Sequence, residues 1–135
     1  GIAQGLGNAS AHTVSAGAIL RLNNFDATIG SLAGAGTVEN GGTANARTLT
    51  VGGDNTSTTF SGTLQNGGAF GLGLAKTGNG MLTLSGTNTS TGGTTINGGV
   101  LALGSAGALG STGTISFGGG TLQHSASKLL FNRYL

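Results

Sequence analysis

Three stretches in the second half of the chain share one grammar. They are Gly80-Met81-Leu82-Thr83-Leu84-Ser85-Gly86, Gly99-Val100-Leu101-Ala102-Leu103-Gly104 and Gly120-Thr121-Leu122-Gln123. Side chains alternate across a strand, so Leu82 with Leu84, and Leu101 with Leu103, point to one face, while Thr83 and Ala102 point to the other. Such strands are too short to be stable alone. They bury their leucines only if something equivalent stacks on them. Leu82, Leu101 and Leu122 follow one another at intervals of about twenty positions. Such a recurrence lets a coil bring like strands into register, one above the next. Between the first two stretches lie Gly92-Gly93 and a third expected strand, Thr94-Thr95-Ile96.

Lys76-Thr77-Gly78-Asn79-Gly80, Leu82-Thr83-Leu84-Ser85-Gly86, Thr91-Gly92-Gly93-Thr94-Thr95-Ile96-Asn97 and Gly99-Val100-Leu101 together form a long pattern. Over residues 74–104 it closely resembles the autotransporter-associated β-strand repeat, also called the passenger-associated transport repeat. Gly30–Val38 and Thr59–Leu64 look like sequence found beside that repeat. Met81 stands where the family more often has a small polar residue. The resemblance implies a right-handed parallel β-helix, exported and displayed at a bacterial cell surface or released outside the cell.

Earlier in the chain the same alternation is looser. Residues 1–16 read as a frayed first coil or a lead-in. Ala18–Leu22 is the first convincing strand, with Leu20 and Leu22 inward, and Ala27–Leu32 and Thr37–Glu39 follow. Arg47–Val51 repeats the grammar with Leu49 and Val51. Thr58–Leu64 places Phe60 and Leu64 in the core and Gly62 where backbones crowd. The steps from Leu20 to Leu49 and from Leu49 to Leu82 are unequal, and both are longer than those that follow. They mean longer coils or a wrong pairing. The fold expected is all-β, a right-handed parallel β-helix of about six short coils. Stacked about 4.8 Å apart, these would make a rod about 29 Å long. Four Asn-Gly pairs, beginning at Asn40, Asn66, Asn79 and Asn97, also suit two-residue hairpins, so an antiparallel β-sandwich is the alternative. Residues 1–127 read as one β-helix segment. Residues 128–135, free of glycine, read as an atypical tail, a cap or a linking strand.

Composition narrows the function. The chain has 135 residues, 30 glycines, no proline, no cysteine and 6% charged residues, with a net charge of +2. The basic residues Arg21, Arg47, Lys76, Lys128 and Arg133 are scattered and aromatics are few. A nucleic-acid surface, which needs clustered Lys and Arg, is therefore not expected. No apolar run approaches the length of a membrane span. The chain begins at Gly1 without a signal peptide, which reads as a fragment or a processed form.

Catalytic constellations are thin. Asp26, Glu39 and Asp54 are the only acids, too few to supply both a calcium site and acid–base work. His12 and His124 lie far apart with no Cys or second His beside them, against a zinc site. No Gly-x-Ser-x-Gly elbow anchors a serine nucleophile. Phe70–Thr77 lacks both obligatory glycines of a phosphate loop. Gly52-Gly53-Asp54 lacks the nonapeptide calcium pattern, and Lys76 reads as an exposed charge on a coil edge. No catalytic residue, cofactor or metal is assigned. The residues expected to matter are structural: a core of Leu20, Leu22, Leu49, Val51, Leu82, Leu84, Ile96, Leu101, Leu103 and Leu122, and turn glycines Gly86, Gly92, Gly93, Gly98 and Gly99. Leu129, Phe131, Tyr134 and Leu135 are the candidate assembly residues, because an apolar tail can add as a strand to an open edge. The expected role is a non-enzymatic rod, stalk or filament segment that associates end to end. An adhesin or polysaccharide-binding module that meets a host surface or glycan through a Thr/Ser/Asn face is second. A polysaccharide lyase or hydrolase is a distant third.

Overall fold

The computed structural model describes residues 9–110 and 112–124. Residues 128–135, with Leu129, Phe131, Tyr134 and Leu135, lie outside them.

Short runs rich in Leu, Val, Ile and Thr become strands, and glycine or asparagine turns each corner. The first coil is β1 (Ala11–Val14), β2 (Ile19–Arg21) and β3 (Ala27–Ile29). The second is β4 (Ser31–Gly34), β5 (Thr37–Glu39) and β6 (Arg47–Val51). The third is β7 (Thr58–Phe60), β8 (Thr63–Gln65) and β9 (Leu72–Lys76). The fourth keeps two strands, β10 (Met81–Leu84) and β11 (Thr94–Ile96), as does the fifth, β12 (Val100–Leu103) and β13 (Ile115–Phe117). A last strand, β14 (Thr121–His124), opens a sixth coil. The described residues thus hold five complete coils rather than about six.

Like strands stack into three sheets, ordered β1-β4-β7-β10-β12-β14, β13-β11-β9-β6-β3 and β2-β5-β8. Every strand pair among the described residues is parallel, which makes the fold a β-solenoid and removes the antiparallel sandwich. The register Leu82↔Leu101↔Leu122 realises the recurrence seen in the sequence. The uneven steps in the first half came from mispairing: Leu20, Leu49 and Leu82 lie in three different sheets. The true partners are Leu20↔Val38↔Leu64 and Leu49↔Leu74.

One core runs up the inside. Leu22, Ile29, Leu32, Val38, Leu49, Leu82, Leu84, Ile96, Leu101 and Leu103 are all fully buried. Phe60 fits because its register partner is Gly34, which leaves its ring room. A Cβ on Gly62 would overlap the Gly36 carbonyl and stand 2.7 Å from Phe60 Cζ, so only glycine passes that corner. Two expected core residues are only half-buried. Leu20 belongs to the first coil, and Leu122 belongs to the last described strand; among the described residues each has a stacked strand on one side only. Ala102, expected to face outward in the open, does point away from the leucines. Yet it is 2% exposed, because its small methyl sits between Thr83 and Gln123 in the ladder. Within residues 1–16, expected to be a frayed coil or lead-in, Ala11–Val14 is a paired strand.

Side-chain amides stitch coil to coil where the ladders stop. Asn24 Oδ1 accepts from Thr43 N (2.8 Å) and Ala44 N (3.0 Å). Asn40, fully buried, donates through Nδ2 to Asn45 O, Phe70 O and Gly71 O. In the fourth coil no third strand forms. Asn88 replaces it, accepting from Leu64 N at 2.7 Å and donating to Ala108 O at 2.5 Å. Buried backbone groups cannot be left unpaired, and Asn88 satisfies two of them, Leu64 N and Ala108 O.

Candidate functional site

The most unusual local chemistry lies at the corner after β9. Leu72, Leu74 and Lys76 alternate, so all three point inward. Lys76 is paired with Val51 below and Ile96 above, both core residues, and is 1% exposed. The expectation of an exposed charge is therefore wrong, because strand periodicity overrides side-chain type at this position. The aliphatic stem fills a core position and the ammonium reaches the corner, where it donates to Thr77 O. A Cβ built on Gly52 or Gly99 would stand 3.0 or 2.9 Å from Nζ, so glycines in the coils on either side make its room. Burial pushes the Lys76 amine below its usual value, and the Asp54 charge opposes that shift. Asp54 itself is held below the usual carboxylate range, chiefly by the Thr56 hydroxyl and N–H, which donate to its Oδ1 at 2.7 and 3.0 Å.

A second polar feature crosses the third sheet, where Arg21, Glu39 and Gln65 are register partners. Arg21 Nε donates to Glu39 Oε1 at 2.6 Å, and Gln65 Nε2 donates to Glu39 Oε2 at 2.7 Å. Glu39 is 3% exposed, and its carboxyl is held below the usual range, first by the Gln65 hydrogen bond and then by Arg21. Asp26 is spent elsewhere, accepting from Thr48 N at 2.9 Å. The three acids thus sit in three separate roles, each tied to a neighbouring group. Among the described residues no group of three or more His, Cys, Asp or Glu could hold a metal ion. His12 and His124 stand on the first and last strands of the first sheet.

On the second sheet one outward column is small and mostly hydroxylic, running continuously through Thr28↔Thr50↔Ala75↔Thr95↔Ser116. The expected turn glycines occupy corners against the preceding coil. Gly86 lies over Gly62, Gly92 against Leu72 and Gly73, and Gly98 over Gly78, while Gly93 (φ +86°) and Gly99 (φ +62°) are left-handed. Sequence reasoning missed the roles of Lys76, Asn40 and Asn88. The Leu72-x-Leu74-x-Lys76 alternation carried the signal for the first; nothing local marked the two asparagines. Among the described residues no helix is long and apolar enough to cross a membrane.

Residues 74–103, from the middle of β9 to the end of β12, match the family model of the passenger-associated-transport-repeat. That stretch is similar to a passenger-associated transport repeat. Searches of curated proteins and of solved structures returned no match. The repeat contains the Lys76 corner, the Asn88 stitch and the change from three-stranded to two-stranded coils. Together the repeat and the parallel solenoid fit a segment of an autotransporter passenger, and the family implies export to the cell surface or the extracellular space.

Proposed function

We propose that this chain is a non-enzymatic rod segment of an exported bacterial surface protein, which spaces or displays other modules. The stacked register carries this reading: one core column after another runs through the coils, with the same strand direction at every pairing. A chain so built transmits length and stiffness, and its Arg21–Glu39 pair and Asp26 tie neighbouring coils together. The same reading includes association between copies through the last coil. There Phe117, which continues the Ile29–Val51–Lys76–Ile96 column, is 60% exposed, and β13 and β14 end their sheets among the described residues. Sedimentation velocity across a concentration series tests this; a strictly monomeric chain at high concentration removes the association. Deleting residues 128–135 then separates a linking tail, whose loss abolishes assembly, from a cap, whose loss promotes aggregation.

The second reading is a polysaccharide-binding module using the hydroxyl column on the second sheet, Thr28, Thr50, Thr95 and Ser116. Glycan-array binding by the whole chain decides between the two. Saturable binding weakened by Thr50→Val and Thr95→Val supports the module; an array without binding leaves the rod.

A further inference from the structure

Four Asn-Gly dipeptides share the same local chemistry. In each, the glycine N–H has no flanking Cβ to hinder it. Its nitrogen can attack the asparagine Cγ. The new N–Cγ bond forms, the Cγ–Nδ2 bond breaks, and ammonia leaves with the amide proton. Water then opens the resulting succinimide at either carbonyl, giving aspartate or isoaspartate. Sequence alone therefore ranks all four as labile. The solenoid does not treat them alike.

Asn40 is fully buried. Its Nδ2 donates to three carbonyls, Asn45 O, Phe70 O and Gly71 O, and its Oδ1 accepts from Gly42 N at 3.2 Å. The attacking group is held too, since Gly41 N donates to Asn66 O at 2.9 Å. Asn66 is half-buried, with Oδ1 accepting from Leu72 N and Thr91 N, both at 3.0 Å, and Nδ2 donating to Thr91 Oγ1 at 3.0 Å. Neither amide can swing to meet the next nitrogen without breaking several bonds. Asn79 and Asn97 differ. Both are exposed, and among the described residues they are anchored through the backbone: Asn79 N donates to Asn55 Oδ1 and Asn97 N to Lys76 O. Both lie at the corner leading into the first sheet, ahead of β10 and β12.

We infer that Asn79-Gly80 and Asn97-Gly98 are the intrinsic deamidation sites of the repeat, and that Asn40-Gly41 and Asn66-Gly67 are shielded by the coil stitching. Conversion of both sites adds two carboxylates to a chain whose net charge is +2, bringing it to neutrality. An isoaspartate also lengthens the main chain by one methylene, in the corners that set the β10↔β12 register.

The test is ageing of the whole chain at pH 8 and 37 °C, with peptide mapping for the mass increase and isoaspartate at each site. A parallel sample in guanidinium supplies the unfolded rates. Native chain should convert at Asn79 and Asn97 at least about tenfold faster than at Asn40 and Asn66, while the unfolded sample converts all four at similar rates. The inference is overturned if Asn40 or Asn66 keeps pace in the native chain. It is equally overturned if Asn79 and Asn97 stay intact there while the unfolded sample converts.

Discussion

Replacing Lys76 separates its stem from its charge. The side chain is 1% exposed between Val51 and Ile96, so its stem packs as a core residue. Lys76→Ala removes the three methylenes beyond Cβ, a transfer loss of roughly 2.4 kcal/mol at about 0.8 kcal/mol each. It also leaves Thr77 O without its donor, at about 1–3 kcal/mol. Relief of the buried ammonium offsets part of this, so the expected net destabilisation is about 2–4 kcal/mol. Lys76→Met keeps the stem volume and removes the charge. Its lost hydrogen bond and its relieved desolvation oppose each other, and it should stay within about 1 kcal/mol of wild type. The assay is urea denaturation followed by far-ultraviolet circular dichroism. The pH dependence adds a second readout. Burial holds the folded-state amine below the usual 10.5, so between that lowered value and 10.5 the unfolded chain keeps a proton the folded chain has released. Wild-type stability should therefore rise with pH through that window, relative to Lys76→Met, which has no such group. If Met destabilises as much as Ala, the ammonium rather than the stem is what the corner needs. If neither destabilises, the inward placement of Lys76 is wrong.

Gly62→Ala should cost about 2–3 kcal/mol, because the new Cβ meets the Gly36 carbonyl and no rotamer can relieve that; a thermal melt indistinguishable from wild type would contradict it. Leu101→Ala, fully buried with strands on both sides, should lose about 3–4 kcal/mol, and Leu122→Ala, half-buried on the last described strand, about half as much; equal losses in chemical denaturation would argue against a stacked column. Glu39 is held below the usual 4.5, so the stability it contributes is present above 4.5 and is lost as pH falls through its lowered value. Acid titration of Glu39→Gln should lack that component, and identical acid limbs for variant and wild type would count against the Arg21–Glu39–Gln65 ladder.

The parts of this fold legible in the sequence are those where period and spacing agree. Leu82, Leu101 and Leu122 announced both their face and their partners, because strand alternation and a coil-length recurrence point to one register. Leu20, Leu49 and Leu82 misled for the same reason. Three sheets use the same apolar–polar alternation, so a strand's sequence does not say which side of the coil it occupies. Coil lengths add to the difficulty, since the step from Thr37 to its partner Thr63 is longer than the step from Ile19 to its partner Thr37. Lys76 was hidden by its charge, although its place two residues beyond Leu74 was visible. Asn88 was not legible at all. Its role depends on Leu64 and Ala108 arriving beside it from other coils, a contact that exists only once the chain is wound.

The third sheet stops at β8, and above it the solenoid is closed on that side by Asn88 and by Thr89 N and Ser90 N, which both donate to Leu64 O. Each coil touches only its neighbours, so a pulling force on the chain is resisted seam by seam. In the lower coils three ladders of backbone bonds share that load. At the seam between the third and fourth coils two ladders carry it, with a local clasp of the Asn88 amide and the Thr89 and Ser90 N–H groups on Leu64 in place of the third. Tension applied at the carboxyl end should strip the two-stranded coils away and arrest once only the third coil remains on top, because three ladders hold it to the second. The rod then has a built-in break point, inside the repeat, that leaves the three-sided base intact.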